Sequence, residues 1–146
     1  MKNIIKYTLS LLLSTSISVL AAQSYSDLYF KAAGSPMNPK VQASWNHFHT
    51  IAGIEKLCKD LAAAYPGLVK LESIGKSVGG RDIWTMTISD FSKGDPNRKP
   101  AMWVEANIHG NEIQGTEMAL YIAWYLAESF NDTPFIQELL AQKTIY

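Results

Sequence analysis

A histidine and a glutamate, His109 and Glu112, stand three residues apart in the sequence His-Gly-Asn-Glu, and both side chains can bind a metal ion. Zinc accepts imidazole nitrogen and carboxylate oxygen, and catalytic zinc sites use three protein ligands with a fourth position open to water. One short turn can therefore supply two of the three ligands. Gly110 is expected to help this turn, because glycine tolerates positive φ angles. We interpret His109 and Glu112 as candidate metal ligands.

The two candidate ligands lie where a predicted strand meets a predicted helix. Residues 101–108 are mostly apolar and predict a strand, and residues 113–130 predict a long helix. In open α/β sheets, ligands bind beyond the carboxyl ends of strands, which is where this turn falls. Residues 118–127 are ten apolar residues in a row, which indicates a helix that is buried all round. Glu112 also has an ordinary explanation, since a carboxylate is favourable at a helix N-terminus.

The residues on either side predict a mixed set of helices and strands. Apolar residues recur at helical spacing across residues 50–65, with Thr50 as the cap and Pro66 at the stop. Residues 68–74 and 82–89 predict two strands joined by the glycine-rich residues 75–80. This connection lacks the Gly-Lys-Ser/Thr order of a phosphate-binding loop, so we expect a hairpin turn. Beyond the polar turn at residues 90–99 and the long helix, residues 134–142 predict a further helix and residues 144–146 a strand.

Several motifs coincide with those of a known family. Tyr65-Pro-Gly-Leu-Val69 and then Ile74-Gly-Lys-Ser-Val-Gly-Gly-Arg-Asp-Ile83 precede the strand and His109-Gly-Asn-Glu112. In this order and at these intervals, residues 45–146 resemble the zinc metallocarboxypeptidases, the carboxypeptidase A-like family. The resemblance implies an α/β fold with a mixed β-sheet flanked by helices, a carboxypeptidase-like sandwich of the phosphorylase/hydrolase type that is incomplete in this chain.

The resemblance also implies an activity and a cofactor. Members of the family hydrolyse C-terminal peptide bonds with zinc-activated water, and peptide or protein C-termini are the expected substrates. The His and Glu of the turn are zinc ligands in the family, so the resemblance implies that His109 and Glu112 bind zinc. The third zinc ligand, the groups that hold the substrate carboxylate and the general-base Glu are expected beyond Tyr146. No catalytic residue is therefore assigned within this chain, and its 146 residues alone are expected to be inactive.

Three other interpretations stay open on the sequence. An amidohydrolase similar to the succinylglutamate desuccinylase and aspartoacylase group also carries a His-Gly-Asn-Glu turn. A non-catalytic binding domain would keep the fold without hydrolysis. Lastly, His47 or His49 would complete a zinc site within these residues, since with His109 they are the only histidines in the chain.

The beginning of the chain predicts export. Residues 1–22 combine Lys2 and Lys6 with an apolar segment and the small pair Ala21-Ala22, which is typical of a secretory signal peptide. The segment is short for a membrane span and is broken by serines, so a permanent anchor is the less favoured interpretation. We therefore expect a periplasmic or extracellular protein without stable membrane insertion after signal cleavage. Residues 23–44 contain glycine and prolines without periodicity and predict an arm or linker.

The charge balance and the single cysteine argue against two further classes of function, nucleic-acid binding and thiol catalysis. The full chain has 13 basic and 13 acidic residues, and loss of residues 1–22 removes two lysines and no acid. A nearly neutral protein gives no reason to expect nucleic acid as a partner. Cys58 is the only cysteine, and it falls on the apolar face of the first predicted helix. We interpret it as a buried thiol rather than a nucleophile. The sequence does not predict the oligomeric state.

Overall fold

The computed structural model describes residues 34–146, so the predicted signal peptide and most of the predicted arm lie outside the described residues. The helices are α1 (Ile51–Ala64), α2 (Ile113–Glu128) and α3 (Pro134–Gln142). The strands are β1 (Val69–Lys76), β2 (Asp82–Ile88), β3 (Ala101–Met102) and β4 (Thr144–Ile145). Two short 3₁₀ helices, Phe91–Lys93 and Pro96–Arg98, occupy the polar connection between β2 and β3.

The strands form one mixed sheet in the order β1-β2-β4-β3. Strand β2 pairs antiparallel with both β1 and β4, whereas β3 runs parallel to β4. The glycine-rich connection between β1 and β2 is the expected hairpin turn: the Ser77 N–H donates to the Arg81 carbonyl at 2.8 Å. Gly80 has a φ of 76°, a conformation that glycine adopts without a steric penalty. The predicted α/β architecture, a mixed sheet with flanking helices, is confirmed.

The core lies where α1 and α2 meet the sheet. Helix α1 begins as predicted, because the Thr50 side chain accepts a hydrogen bond from the Gly53 N–H at 3.1 Å. The buried apolar residues of α1 are Leu57, Cys58 and Leu61. They share one cluster with Trp124 of α2, which is fully buried, and with apolar residues of the strands. Burial of this stripe holds both helices against the sheet.

The strand predicted over residues 101–108 is much shorter in the structure. Only Ala101–Met102 forms a ladder, opposite Thr144 and Ile145 of β4. One further bond, from the Val104 N–H to the Tyr146 carbonyl at 2.7 Å, extends the pairing. Residues 105–108 have no strand opposite them among the described residues, so they run on without ladder bonds. A strand was predicted correctly at the start of this segment, but the predicted strand length was wrong.

Helix α2 is not buried all round, contrary to the expectation from its ten apolar residues. Met118 is 59% exposed and Ile122 is 37% exposed, while Leu120, Ala123 and Trp124 are buried. Only one face of α2 contacts the described part of the sheet and α1, so the other face meets solvent. The helix also ends at Glu128 rather than at residue 130, because Ser129 forms its C-cap.

The folded region begins before residue 45. Val41 and Ala43 are 6% and 5% exposed and belong to the core cluster. The last residues of the predicted arm thus pack as part of the fold, ahead of the predicted boundary at Trp45. Among residues 34–146, no helix combines the length and apolar character that a membrane crossing requires.

Candidate metal centre

The predicted metal ligands lie on the turn that leads from β3 into α2. The Glu112 N–H donates to the His109 carbonyl at 3.0 Å, which closes the turn, and α2 begins at the next residue. Glu112 is the N-cap residue of α2, yet its side chain makes no capping hydrogen bond. The carboxylate points back to His109 instead. His109 and Glu112 are therefore brought together, as the sequence predicted.

The two side chains meet at a short distance and remain open to solvent. His109 Nδ1 lies 3.1 Å from Glu112 Oε1, and the His109 N–H donates to Glu112 Oε2 at 3.3 Å. The side chains are 75% and 50% exposed. The ring nitrogens and carboxylate oxygens thus remain accessible to an ion from solution.

The backbone before the turn adopts a conformation that few residue types favour. Gly110 was expected to suit the turn because glycine tolerates positive φ, but the residue that has a positive φ is Asn107, at 62°. Asparagine enters this left-handed region more readily than other side chains, apart from glycine. The Asn107 side-chain oxygen is buried and has no hydrogen-bond partner among residues 34–146. The signal was available in the sequence as an asparagine just before the candidate ligand.

A glycine in α2 allows the helix to approach this backbone. A Cβ atom on Gly115 would lie 3.1 Å from the Ala106 Cβ and 3.4 Å from the Asn107 nitrogen. Contacts that short force a neighbour to move, so a side chain here would push α2 away from residues 106–107. Gly115 therefore sets how closely the start of α2 packs behind the turn with the candidate ligands.

The other two histidines are not part of this site. The His47 ring contacts the Asn46 side chain at 3.1 Å and is exposed. His49 Nδ1 lies 2.7 Å from Glu117 Oε2, in a pair whose side chains are only 11% and 16% exposed. Across residues 34–146 no group of three or more His, Cys, Asp or Glu side chains is arranged to hold a metal. The described residues therefore place neither His47 nor His49 as a third ligand beside His109.

Cys58 is buried within the core. The residue is 3% exposed, and burial, together with the negative charge of Glu55, raises the pKa of its thiol to about 11. A thiol with so high a pKa is almost wholly protonated at neutral pH, and the protonated form is a poor nucleophile. The structure thus supports the interpretation of Cys58 as a small apolar core residue.

The comparison with known families gives a decisive match. The sequence profile of the family described as "Zinc carboxypeptidase" matches residues 54–146, which is more than half of the chain. This chain belongs to the zinc carboxypeptidase family. The matched residues contain the core of α1, the whole sheet and the turn with His109 and Glu112.

Individual zinc carboxypeptidases are similar at the level of sequence. Mouse carboxypeptidase M is 33% identical over 108 residues, which cover 74% of this chain and 24% of the relative. Carboxypeptidase D of Drosophila melanogaster is 34% identical over 92 residues, which cover 63% of this chain and 6% of the relative. The chain thus spans a quarter or less of the length of these relatives.

Solved structures show the same fold. Thrombin-activatable fibrinolysis inhibitor superposes with a TM-score of 0.62 at 20% identity, over 70% of this chain and 25% of that one. The bovine form of that protein, in complex with a tick carboxypeptidase inhibitor, gives a TM-score of 0.58 at 20% identity, over 70% and 30%. At this level of identity the likeness establishes the fold of the sheet and helices.

Proposed function

We propose that residues 45–146 form the N-terminal part of the catalytic domain of an exported zinc carboxypeptidase that removes residues from the C-termini of peptides or proteins. Membership of the family supports the reaction class, and the His109–Glu112 turn is the observation that carries the proposal. We assign His109 and Glu112 as two of the three protein ligands of a zinc ion. The predicted signal peptide supports a periplasmic or extracellular location.

The donor atoms fit such an ion. Two ligand atoms bound to one tetrahedral zinc at about 2.1 Å lie roughly 3.4 Å apart. His109 Nδ1 and Glu112 Oε1 are 3.1 Å apart, so a small rotation of either exposed side chain brings both to that spacing. An imidazole and a carboxylate on one turn are also the nitrogen and oxygen donors that zinc accepts.

In this proposal the zinc ion supplies the chemistry, and His109 and Glu112 hold it in place. Bound zinc supplies a Lewis acid that polarises a substrate carbonyl and lowers the pKa of bound water. His109 and Glu112 hold the ion at the solvent-facing end of the β3–α2 connection, where a peptide can reach it. The described residues provide no third ligand beside them. We therefore propose that residues 1–146 alone bind zinc weakly and do not hydrolyse peptides.

Zinc titration of the purified chain tests the assignment. We expect His109→Ala and Glu112→Gln each to lower zinc affinity by at least about tenfold, as measured by competition with a chromophoric chelator. His47→Ala is the control for loss of an exposed imidazole outside the turn; its ring contacts the His49 ring at 5.0 Å but makes no hydrogen bond to His109 or Glu112. Affinity that is unchanged in both site variants would refute the assignment. Zinc-dependent release of C-terminal residues by the 146-residue chain would refute the proposed inactivity.

A further inference from the structure

A second carboxylate, Glu117, lies one helical turn beyond the candidate ligands and is bound on both of its oxygens by a single residue. The His49 N–H donates to Glu117 Oε1 at 2.6 Å, and His49 Nδ1 lies 2.7 Å from Glu117 Oε2. These residues are 68 positions apart in the sequence. The pair therefore joins the start of α2 to the residue that precedes the Thr50 cap of α1.

The N-cap side chain of α2 does not stabilise the start of the helix. The first turn of a helix has N–H groups without a partner inside the helix. A side chain at the N-cap position normally accepts a hydrogen bond from one of them. Glu112 occupies that position, but its carboxylate contacts His109 and makes no capping hydrogen bond. The first turn therefore gains no stabilisation from its N-cap side chain in this structure. Packing at Gly115 and contacts further along α2 hold it in place.

Those contacts follow one face of α2. The leading segment (residues 40–49) runs along this face, and Trp124 Nε1 donates to the Val41 carbonyl at 2.7 Å. At the far end, Glu128 accepts hydrogen bonds from the N–H groups of Lys40, at 2.8 Å, and Val41, at 2.7 Å. Glu117 anchors the end of this face that is nearest to His109 and Glu112. Glu128 anchors the opposite end through these two backbone N–H groups and a hydrogen bond with the Tyr65 side chain.

Aromatic packing fixes His49 in the position from which it reaches Glu117. The Trp45 ring lies 5.6 Å from the His49 ring in an edge-on arrangement, and it also contacts the rings of Tyr121 and Trp124. Edge-on ring pairs at this separation are favourable. The His49 ring therefore contacts the rings of Trp45 and His47 and is bound by Glu117.

We propose that Glu117 is a positioning residue for the metal turn. Bound by His49, it fixes the first turn of α2 against the leading segment so that His109 and Glu112 point toward one ion. Glu117 does not touch the ion. This inference rests on the proposed zinc-binding function, and it adds two residues, Glu117 and His49, to those on which zinc affinity depends.

Glu117→Gln and Glu128→Gln form a matched pair for the test. Each replaces a poorly exposed carboxylate of α2 with an amide, which presents an N–H₂ group where an oxygen accepted a hydrogen bond. We expect Glu117→Gln to weaken zinc binding by about tenfold, the lower end of the range for loss of an outer-shell partner. Glu128→Gln, at the far end of α2, should leave the zinc affinity of the folded protein unchanged. Equal affinities in the two variants would overturn the proposal.

Two His49 variants keep the test decisive if Glu117→Gln does not fold. Asparagine places a side-chain N–H close to the position of His Nδ1 and cannot replace imidazole as a zinc ligand. We expect His49→Asn to bind zinc nearly as tightly as the unaltered chain and His49→Ala to bind about tenfold more weakly. The visible spectrum of bound Co²⁺ should likewise stay unchanged in His49→Asn. Loss of affinity in both variants would overturn the positioning role.

The same titrations separate this inference from the function on which it rests. If His109→Ala and Glu112→Gln leave zinc binding intact, the proposed function fails. If those two variants lose zinc while Glu117→Gln binds it as tightly as Glu128→Gln, only the positioning role fails. Unfolding curves for every variant report whether a change in affinity follows from loss of folded protein.

Discussion

Two histidine–glutamate pairs lie at the start of helix α2, and they have opposite surroundings. His49 and Glu117 are 2.7 Å apart, with side chains that are 11% and 16% exposed. His109 and Glu112 are 3.1 Å apart, with side chains that are 75% and 50% exposed. The first pair joins distant parts of the chain, whereas the second spans a single turn. The chemical groups are the same in both pairs.

The difference shows what makes a histidine–glutamate pair a candidate metal site. Both oxygens of Glu117 already accept hydrogen bonds from His49, and little solvent reaches them. An ion would have to break those bonds in a poorly solvated place, where unpaired polar groups are costly. Among the described residues, the carboxylate of Glu112 hydrogen-bonds only with His109, and its side chain is half exposed to solvent. The first pair therefore stabilises the fold, and the second retains the capacity to bind.

Removal of one histidine from each pair should give the largest difference in stability. We expect His49→Ala to lower the free energy of unfolding by about 2 kcal/mol, because Glu117 loses a charged hydrogen bond in a poorly exposed site. His109→Ala should lower it by less than about 0.5 kcal/mol, as is usual for exposed positions. Urea unfolding followed by tryptophan fluorescence measures both values.

His47→Ala is the control for this comparison, because it removes an exposed ring that lies 5.0 Å from the His49 ring but leaves the hydrogen bonds of Glu117 in place. It should behave like His109→Ala. A loss of stability in His109→Ala equal to that in His49→Ala would contradict the division between a structural and a binding pair.

Substitution of Asn107, which precedes the turn with His109 and Glu112, should lower the free energy of unfolding less than His49→Ala does. We expect Asn107→Val to lower the free energy of unfolding by about 1–2 kcal/mol, because a β-branched side chain is strained in a left-handed conformation. Asn107→Gly should change it by less than about 0.5 kcal/mol, since glycine adopts this φ freely and the Asn107 side-chain oxygen has no partner to lose. The same urea titrations apply. Equal losses in the two variants would show that the amide, rather than the backbone, matters here.

The sequence predicted most elements of the fold because their signals are local. The Thr50 cap, the apolar stripe of α1 and the glycine-rich hairpin each depend on residues within a few positions of one another. The length of β3 and the burial of α2 were predicted wrongly because both depend on distant partners. A run of apolar residues shows that a segment can be buried, but the surrounding chain decides how much of it is covered.

The candidate site divides in the same way. His109 and Glu112 could be paired from their spacing, since three residues on one turn bring side chains together. The role of Glu117 could not be predicted, because its partner His49 is 68 positions away in the sequence. A glutamate within a helix does not by itself indicate a buried hydrogen-bond partner. Gly110 was singled out on residue type because it tolerates positive φ, whereas the positive φ occurs at Asn107, where Gly115 of α2 packs closely on the backbone.

The reactivity of the Cys58 thiol extends the comparison to a buried group that is neither a ligand nor part of a histidine–glutamate pair. Burial raises the pKa of its thiol to about 11, whereas an unfolded cysteine has a pKa near about 8.5. At pH 8 the folded protein should therefore react with iodoacetamide roughly two hundredfold more slowly than the chain in urea. Between pH 8 and 10 the rate for the folded protein should rise about tenfold per pH unit, while the rate in urea levels off above its ordinary pKa of about 8.5. A folded-state rate that also levels off near that pH would mean that solvent reaches Cys58. Helix α1 would then pack less tightly against the core than the 3% exposure of Cys58 indicates.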